Sequence, residues 1–151
     1  MARYLATIDT PMTPEQACAY LSDFANAGEW DPSVVQARRL GDGPPRLGSQ
    51  FRLVARFLGR SNELTYTITE FDPPHAVSFR AESPTVISLD RISFGAHGGM
   101  TRVTYDARLT LRGPLRLIDP LLGLAFGQLA RRALVGLRAA LGAQAPAGAS
   151  A

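Results

Sequence analysis

Two rhythms of hydrophobic and polar residues divide most of this chain. Between Phe51 and Leu111 the period is two. Phe51, Leu53, Ala55 and Phe57 alternate with Arg52, Val54 and Arg56. Leu64, Tyr66 and Ile68 alternate with Thr65, Thr67 and Thr69, and Val103, Tyr105, Ala107 and Leu109 alternate with Arg102, Thr104, Asp106 and Arg108. Such alternation predicts strands with one buried and one wet face. Beyond Gly113 the period lengthens. Ile118, Leu122, Ala125, Phe126, Leu129, Ala133, Leu137 and Leu141 recur at spacings of three and four, the apolar face of a helix. A helix through most of Gly113 to Gly142 would span about 40 Å at 1.5 Å per residue, and such a rod needs a broad apolar partner.

The elements between follow from punctuation. Residues 2–10 read as a strand of mixed polarity closed by Pro11. Thr13-Pro14-Glu15-Gln16 combines a capping Thr, a Pro suited to the first helical position, an early acid and a Gln three residues after the Thr, so a helix starts there. Ala17, Leu21 and Phe24 form its apolar face, with Tyr20 beside them, and Asn26-Ala27-Gly28 is its predicted stop. Glu29-Trp30-Asp31-Pro32 reads as a tight polar turn carrying the only tryptophan. Strands are predicted at Val34–Leu40, Gly48–Phe57, Asn62–Phe71 and His75–Glu82, and the hairpin Thr85–Ala96 with Met100–Leu111 closes at His97-Gly98-Gly99. A helical turn is expected at Pro114–Ile118, then a kink or fresh start at Asp119-Pro120. Gly123, Gly127 and Gly136 lower helix propensity but permit close approach. Residues 143–151 are small and expected to be disordered, leaving residues 1–142 as a single domain.

Strands joined by short turns without intervening helices give an antiparallel sheet and the α+β class. The sheet's apolar face must be covered, and only the C-terminal helix is long enough to do so.

Composition narrows the function classes. Sixteen arginines against thirteen acids, with no lysine, give a net charge of +3. The arginines are scattered rather than gathered in a stripe, which argues against nucleic-acid binding. The lone Cys18 in a helix reads as a small buried thiol, without a disulfide framework. The N-terminus lacks the pattern of a signal peptide, and the most apolar window, Leu115–Leu129, is interrupted by Arg116, Asp119, Pro120 and Gln128, so stable membrane insertion is not expected and a cytoplasmic location is. His75 and His97 sit at turns, so no metal site is expected. The absence of a Gly-x-Gly-x-x-Gly, a phosphate loop or a Gly-x-Ser-x-Gly argues against a nucleotide cofactor or a common serine hydrolase. No cofactor is expected.

The order of elements, the Trp30-Asp31-Pro32 turn after a first short helix, Gly99-Met100-Thr101-Arg102-Val103-Thr104-Tyr105 in the last strand and Arg112-Gly113-Pro114-Leu115 before the long helix together resemble the polyketide cyclase/dehydrase and lipid-transport superfamily. These are the START-like, Bet v 1-like or SRPBCC proteins, and the likeness covers about residues 2–142. It implies a helix-grip fold: a seven-stranded antiparallel sheet wrapped around the long C-terminal helix, two short helices between the first two strands and a deep apolar cavity. Members bind lipids, sterols, polyketides or hormones, and some cyclise or dehydrate polyketide chains. The resemblance carries no universal catalytic motif and leaves binder and enzyme both open.

The expected cavity lining is Phe51, Leu53, Leu64, Tyr66, Ile68, Val77, Phe79, Ile92, Phe94, Val103 and Tyr105 from the sheet, with Leu122, Phe126 and Leu129 from the helix. These side chains either pack solidly or surround a pocket. Tyr66 and Tyr105 would offer hydrogen bonds to a ligand oxygen. Trp30 is either a plug against the sheet or a wall of the cavity mouth. Asp90 shares a face with Ile92 and Phe94 if these point inward, and is then a carboxylate of raised pKa able to move a proton; the alternative is an outward Asp90 near Arg108. Glu70 shares parity with Tyr66 and Ile68 but lies at a strand end. The candidate catalytic residues are therefore Asp90, Tyr105 and Tyr66, and the candidate ligand contacts Trp30, Phe51, Leu53, Tyr66, Ile68, Phe79, Asp90, Ile92, Tyr105, Leu122 and Phe126. Three roles are carried forward: binding of an apolar small molecule, a cyclase or dehydratase in the same cavity, and a partner-binding module docking through Leu115–Leu124. The chain is expected to act as a monomer or homodimer.

Overall fold

The structure, a computed structural model, describes residues 1–57 and 59–143. Seven strands form one antiparallel sheet: β1 (Ala2–Thr10), β2 (Val34–Leu40), β3 (Gln50–Phe57), β4 (Arg60–Asp72), β5 (Ala76–Glu82), β6 (Val86–His97) and β7 (Met100–Leu111), in the order β1-β7-β6-β5-β4-β3-β2. Between β1 and β2 lie α1 (Pro14–Ser22), a 3-10 turn (Phe24–Asn26) and the single-turn α2 (Ala27–Trp30). A second 3-10 turn (Gly113–Ile118) leads into α3 (Asp119–Ala143). This is the helix grip that the resemblance implies.

Local chemistry explains the starts. Thr13 Oγ1 accepts the Gln16 amide at 3.1 Å while Gln16 Oε1 accepts the Thr13 amide at 3.0 Å, a reciprocal capping box for α1. The predicted stop at Asn26-Ala27-Gly28 is instead where α2 begins. Asp23 accepts the Ala25 amide at 3.2 Å, starting a 3-10 turn that feeds directly into α2. Trp30 therefore ends a helical turn rather than occupying a polar one. At the other end of the chain, α3 is a fresh start after the 3-10 turn. α3 runs through Ala143, the first residue of the expected tail, and residues 144–151 lie outside the described residues.

The main core sits under α1, α2 and the C-terminal half of α3, where Leu21, Phe24, Phe51, Ile68, Val77, Phe79, Ile92, Leu137 and Leu141 are buried together. Cys18 is among them, its Sγ 3.6 Å from Ser22 Oγ, and burial holds its thiol above its ordinary pKa. A second, smaller cluster joins Leu122 and Phe126 of α3 to Ala2 and Leu111 at the opposite end of the sheet. The helix is thus held at two places along its length.

On the outer face of the sheet, charges pair across and along the strands. Arg3 and Arg108 meet Asp106, Arg102 meets Asp9, and Arg91 meets Glu70. The ambiguous Glu70 lies on this wet side because the β4–β5 register shifts between Ile68 and Glu70. The bulge reverses parity, so Phe71 opposes the buried Val77, while Glu70 opposes Ser78 and accepts its hydroxyl at 2.6 Å. His75 and His97 are exposed at their turns. Among the described residues, no helix is long and apolar enough to cross a membrane.

Of Gly123, Gly127 and Gly136, one permits the expected close approach. A Cβ on Gly136 would lie 1.9 Å from the Trp30 carbonyl oxygen, whereas a Cβ on Gly123 would meet nothing within 4 Å. Gly136→Ala is therefore expected to push α3 off α2 and destabilise by about 2–4 kcal/mol, lowering Tm by roughly 5–10 °C. Gly123→Ala is expected to stabilise by about 0.5–1 kcal/mol through helix propensity. Paired thermal and urea melts check both, and equal effects at the two positions would refute the close-approach account.

Candidate ligand-binding site

Because the strands pair antiparallel and in register, inward side chains fall into rows across the sheet. One row runs Phe51, Tyr66, Ala81, Ser88, Leu109; the next runs Ile68, Phe79, Asp90, Ala107, Tyr4. The small Ala81 between Tyr66 and Ser88 leaves room for the phenol to lie across β5, and Tyr66 OH donates to Ser88 Oγ at 2.9 Å. From the third row, Tyr105 donates its hydroxyl to Asp90 Oδ2 at 2.9 Å. Asp90 therefore faces inward. Arg108, its alternative partner, binds Asp106 instead, and the large residue left outside is Leu89, 40% exposed.

Aromatic rings from the short helices close one end of this surface. Phe24 stacks on Phe79 at 4.0 Å and meets Phe51 and Tyr66 edge-on at 6.5 and 5.1 Å. Trp30 stands edge-on to Phe24 and Tyr105, at 6.3 and 5.8 Å. Past these rings, between the sheet and the middle of α3, a cavity of about 540 Å³ remains. Trp30, Leu53, Leu64 and Leu109 wall it from below, and Phe126, Leu129, Ala133 and Leu134 from the helix. Asp31, Ser33, Tyr66, Ser88, Asp90 and Tyr105 form one polar patch in its lining. Leu115 and Ile118 of the second 3-10 turn also reach the cavity while remaining 38% and 41% exposed, so they stand where it opens. Leu117, Leu121 and Leu124 nearby are more exposed still.

The electrostatics of the patch come from burial. Desolvation pushes Asp90 up to about 7; Asp31 and Asp106 push the same way and the Tyr105 hydroxyl only partly opposes them. Desolvation also raises Asp31, although the Ser33 hydroxyl and amide donate to its Oδ1 at 2.7 and 2.9 Å. Tyr66 and Tyr105 are raised by burial and by the neighbouring carboxylates, so both stay neutral donors near neutral pH. The arrangement is a carboxyl that exchanges its proton near pH 7, hydrogen-bonded to a phenol, inside an apolar chamber. It can orient a polar group and can give or take a proton. Among the described residues, no group of three His, Cys, Asp or Glu is gathered to hold a metal.

The sequence profile of the family described as "Polyketide cyclase / dehydrase and lipid transport" matches residues 1–142. The chain belongs to this family. Two uncharacterized proteins of Mycobacterium tuberculosis, Rv1546 and MT1597, are each 31% identical to it over 80 residues, which is 52% of this chain and 54% of theirs. The matching segment thus spans about half the length of these curated relatives. Among solved structures, a START superfamily protein from Mycobacterium smegmatis superposes with a TM-score of 0.74 at 18% identity, covering 93% of this chain and 97% of the other. TTHA0849 from Thermus thermophilus gives 0.74 at 19%, covering 93% and 95%, and the Zhui aromatase/cyclase from Streptomyces sp. R1128 gives 0.72 at 14%, covering 92% and 90%. At these identities the likeness is one of fold.

Within this family member, the expected contacts divide into two sets. Trp30, Leu53, Tyr66, Asp90, Tyr105 and Phe126 line the cavity. Phe51, Ile68, Phe79, Ile92 and Leu122 do not. The first four are capped by Phe24 and its neighbours in the packed end of the sheet, and Leu122 is taken up by the cluster with Ala2 and Leu111. Trp30 combines both of its alternatives, 5% exposed and a wall of the cavity. Sequence reasoning missed Asp31 and Ser33. Asp-Pro-Ser reads as a turn that caps itself, and nothing in that pattern tells which way the turn faces.

Asp90 carries a pH signature. Its pKa in the folded chain lies above the ordinary carboxylate value, so the folded state binds the extra proton and stability falls as pH rises between about 4 and about 7. Asp90→Asn removes that loss and is expected to be more stable than wild type at about pH 8, by up to ~4 kcal/mol, and not at about pH 4. Urea unfolding across the range checks this, and a difference independent of pH would refute it.

Proposed function

We propose that this chain binds an apolar small molecule, a lipid, polyketide or other ring compound, in the cavity between sheet and α3. The observation that carries the reading is the cavity itself. At roughly 24 cal/mol per Å³, a dry, closed void of about 540 Å³ would cost on the order of 10 kcal/mol, comparable to the whole stability of a domain, so the space is one that solvent or a ligand fills. Its apolar walls favour a ligand over water at about 25 cal/mol per Å² buried, before ordering costs. The patch of Tyr66, Ser88, Asp90 and Tyr105 fixes the ligand's polar end, and the exposed Leu117, Leu121 and Leu124 beside the opening give an apolar molecule a favourable approach. The family's description, which joins polyketide chemistry to lipid transport, supports the same reading.

Asp90 favours a second reading, an enzyme of the cyclase or dehydratase type in the same cavity. A carboxyl titrating near neutral pH beside a neutral phenol is suited to moving a proton at a carbon next to a carbonyl. Turnover lost with binding retained in Asp90→Asn would favour the enzyme over the carrier.

Trp30 is the only tryptophan and lines the cavity, so it reports on occupancy. Titration with Nile red is expected to quench Trp30 emission saturably. Ala107→Phe, which fills the space opposite Asp90, is expected to weaken binding by about tenfold or more with Tm little changed. No saturable quenching in wild type, or undiminished affinity in a folded Ala107→Phe variant, would refute the cavity reading.

A further inference from the structure

The cavity's polar patch is one-sided in charge. Asp31 and Asp90 both line it, and among the described lining residues the only cation is Arg60, exposed at the start of β4. The two phenols spend their protons inside the protein, Tyr105 on Asp90 and Tyr66 on Ser88, and the Ser33 hydroxyl is spent on Asp31. The Ser88 hydroxyl proton is the one side-chain donor of the patch left over. The acceptors left over are more numerous: Asp90 Oδ1 and Asp31 Oδ2, which accept nothing from the described residues, and the phenol oxygens. Each carboxylate raises the cost of burying the other, and no guanidinium or ammonium relieves them from within.

We infer that the cavity selects its ligand by charge, taking an apolar molecule whose polar end donates hydrogen bonds, above all a protonated amine, and rejecting the carboxylate of a free fatty acid. The inference rests on the cavity-binding reading and adds the chemical class of the ligand's head. An ammonium there would neutralise the buried pair and satisfy the free acceptors with charge-assisted hydrogen bonds. A carboxylate at the patch would add a third negative charge beside Asp31 and Asp90, where the Ser88 hydroxyl is the one spare donor of the patch and the N–H and O–H groups of Tyr4, Trp30 and Asn62 stand elsewhere in the lining. The preference runs against the chain as a whole, whose net charge of +3 attracts anions from a distance, so an amine preference cannot be a general surface effect.

Displacement of Nile red by decylamine, decanol and decanoate at about pH 8 tests this with matched tails. Decylamine is expected to bind at least about tenfold more tightly than decanoate, the scale of one desolvated charge-assisted bond. In a double variant, Asp31→Asn with Asp90→Asn, the ratio of decylamine to decanoate affinity should collapse to about twofold or threefold. Decanoate binding as tightly as decylamine in wild type overturns the proposal, and so does a preference that survives in the double variant. Should that variant fail to fold, the wild-type ratio alone decides. Failure of Nile red and decanol to bind at all overturns the cavity reading itself, an outcome distinct from binding without charge preference.

Discussion

The structure depends on how closely α3 approaches α2 at Gly136. There the helix passes the Trp30 carbonyl with no room for a side chain, and Leu137 and Leu141 beyond it enter the main core. About three turns earlier, Leu122 and Phe126 reach the other end of the sheet and bury against Ala2 and Leu111. Between these two anchors, the stretch of α3 from Phe126 to Leu137 turns its side chains to the cavity rather than closing it against the sheet. In physical terms, the two packed clusters supply the stability that lets the middle remain open.

The same contact links that scaffold to the site's chemistry. Trp30 ends α2 with its carbonyl against Gly136 and its ring edge-on to Tyr105, which in turn donates to Asp90. Position and protonation are therefore coupled along one short chain of contacts. Burial raises Asp90 and Asp31, while the Tyr105 and Ser33 hydroxyls keep both in hydrogen-bonding company, so a polar patch persists in a chamber that is otherwise apolar. A purely hydrophobic lining would bind apolar molecules without orienting them. This patch gives the chamber one end that differs from the other.

Much of the architecture was legible because strand alternation, turn residues and the helical period of α3 all act locally. The face of Asp90 was not, since Ile87 and Leu89 compete with Ile92 and Phe94 for the inward side and periodicity weighs them equally. Pairing decides it: Asp90 sits opposite Phe79 and Ala107, both inward, and Leu89 is left in solvent. Glu70 was hidden by a bulge that shifts register without an obvious marker in the sequence. The division of the apolar face into packed core and cavity wall was also illegible. It turns on Phe24, whose ring stacks on Phe79 and separates that end of the sheet from the cavity, a contact across 55 residues of sequence. Asp31 stayed hidden for a similar reason, because a self-capped turn is recognisable by sequence and its orientation is not.

The most direct test of an open, apolar chamber is native mass spectrometry of the purified protein, as isolated and after incubation with alkyl alcohols, polycyclic ring compounds and phospholipids. One apolar molecule retained per chain, released on solvent extraction and bound again on re-addition, is the predicted result. The mass of the bare chain under every one of these conditions would contradict the account, and would mean that the space between sheet and helix does not hold an apolar ligand.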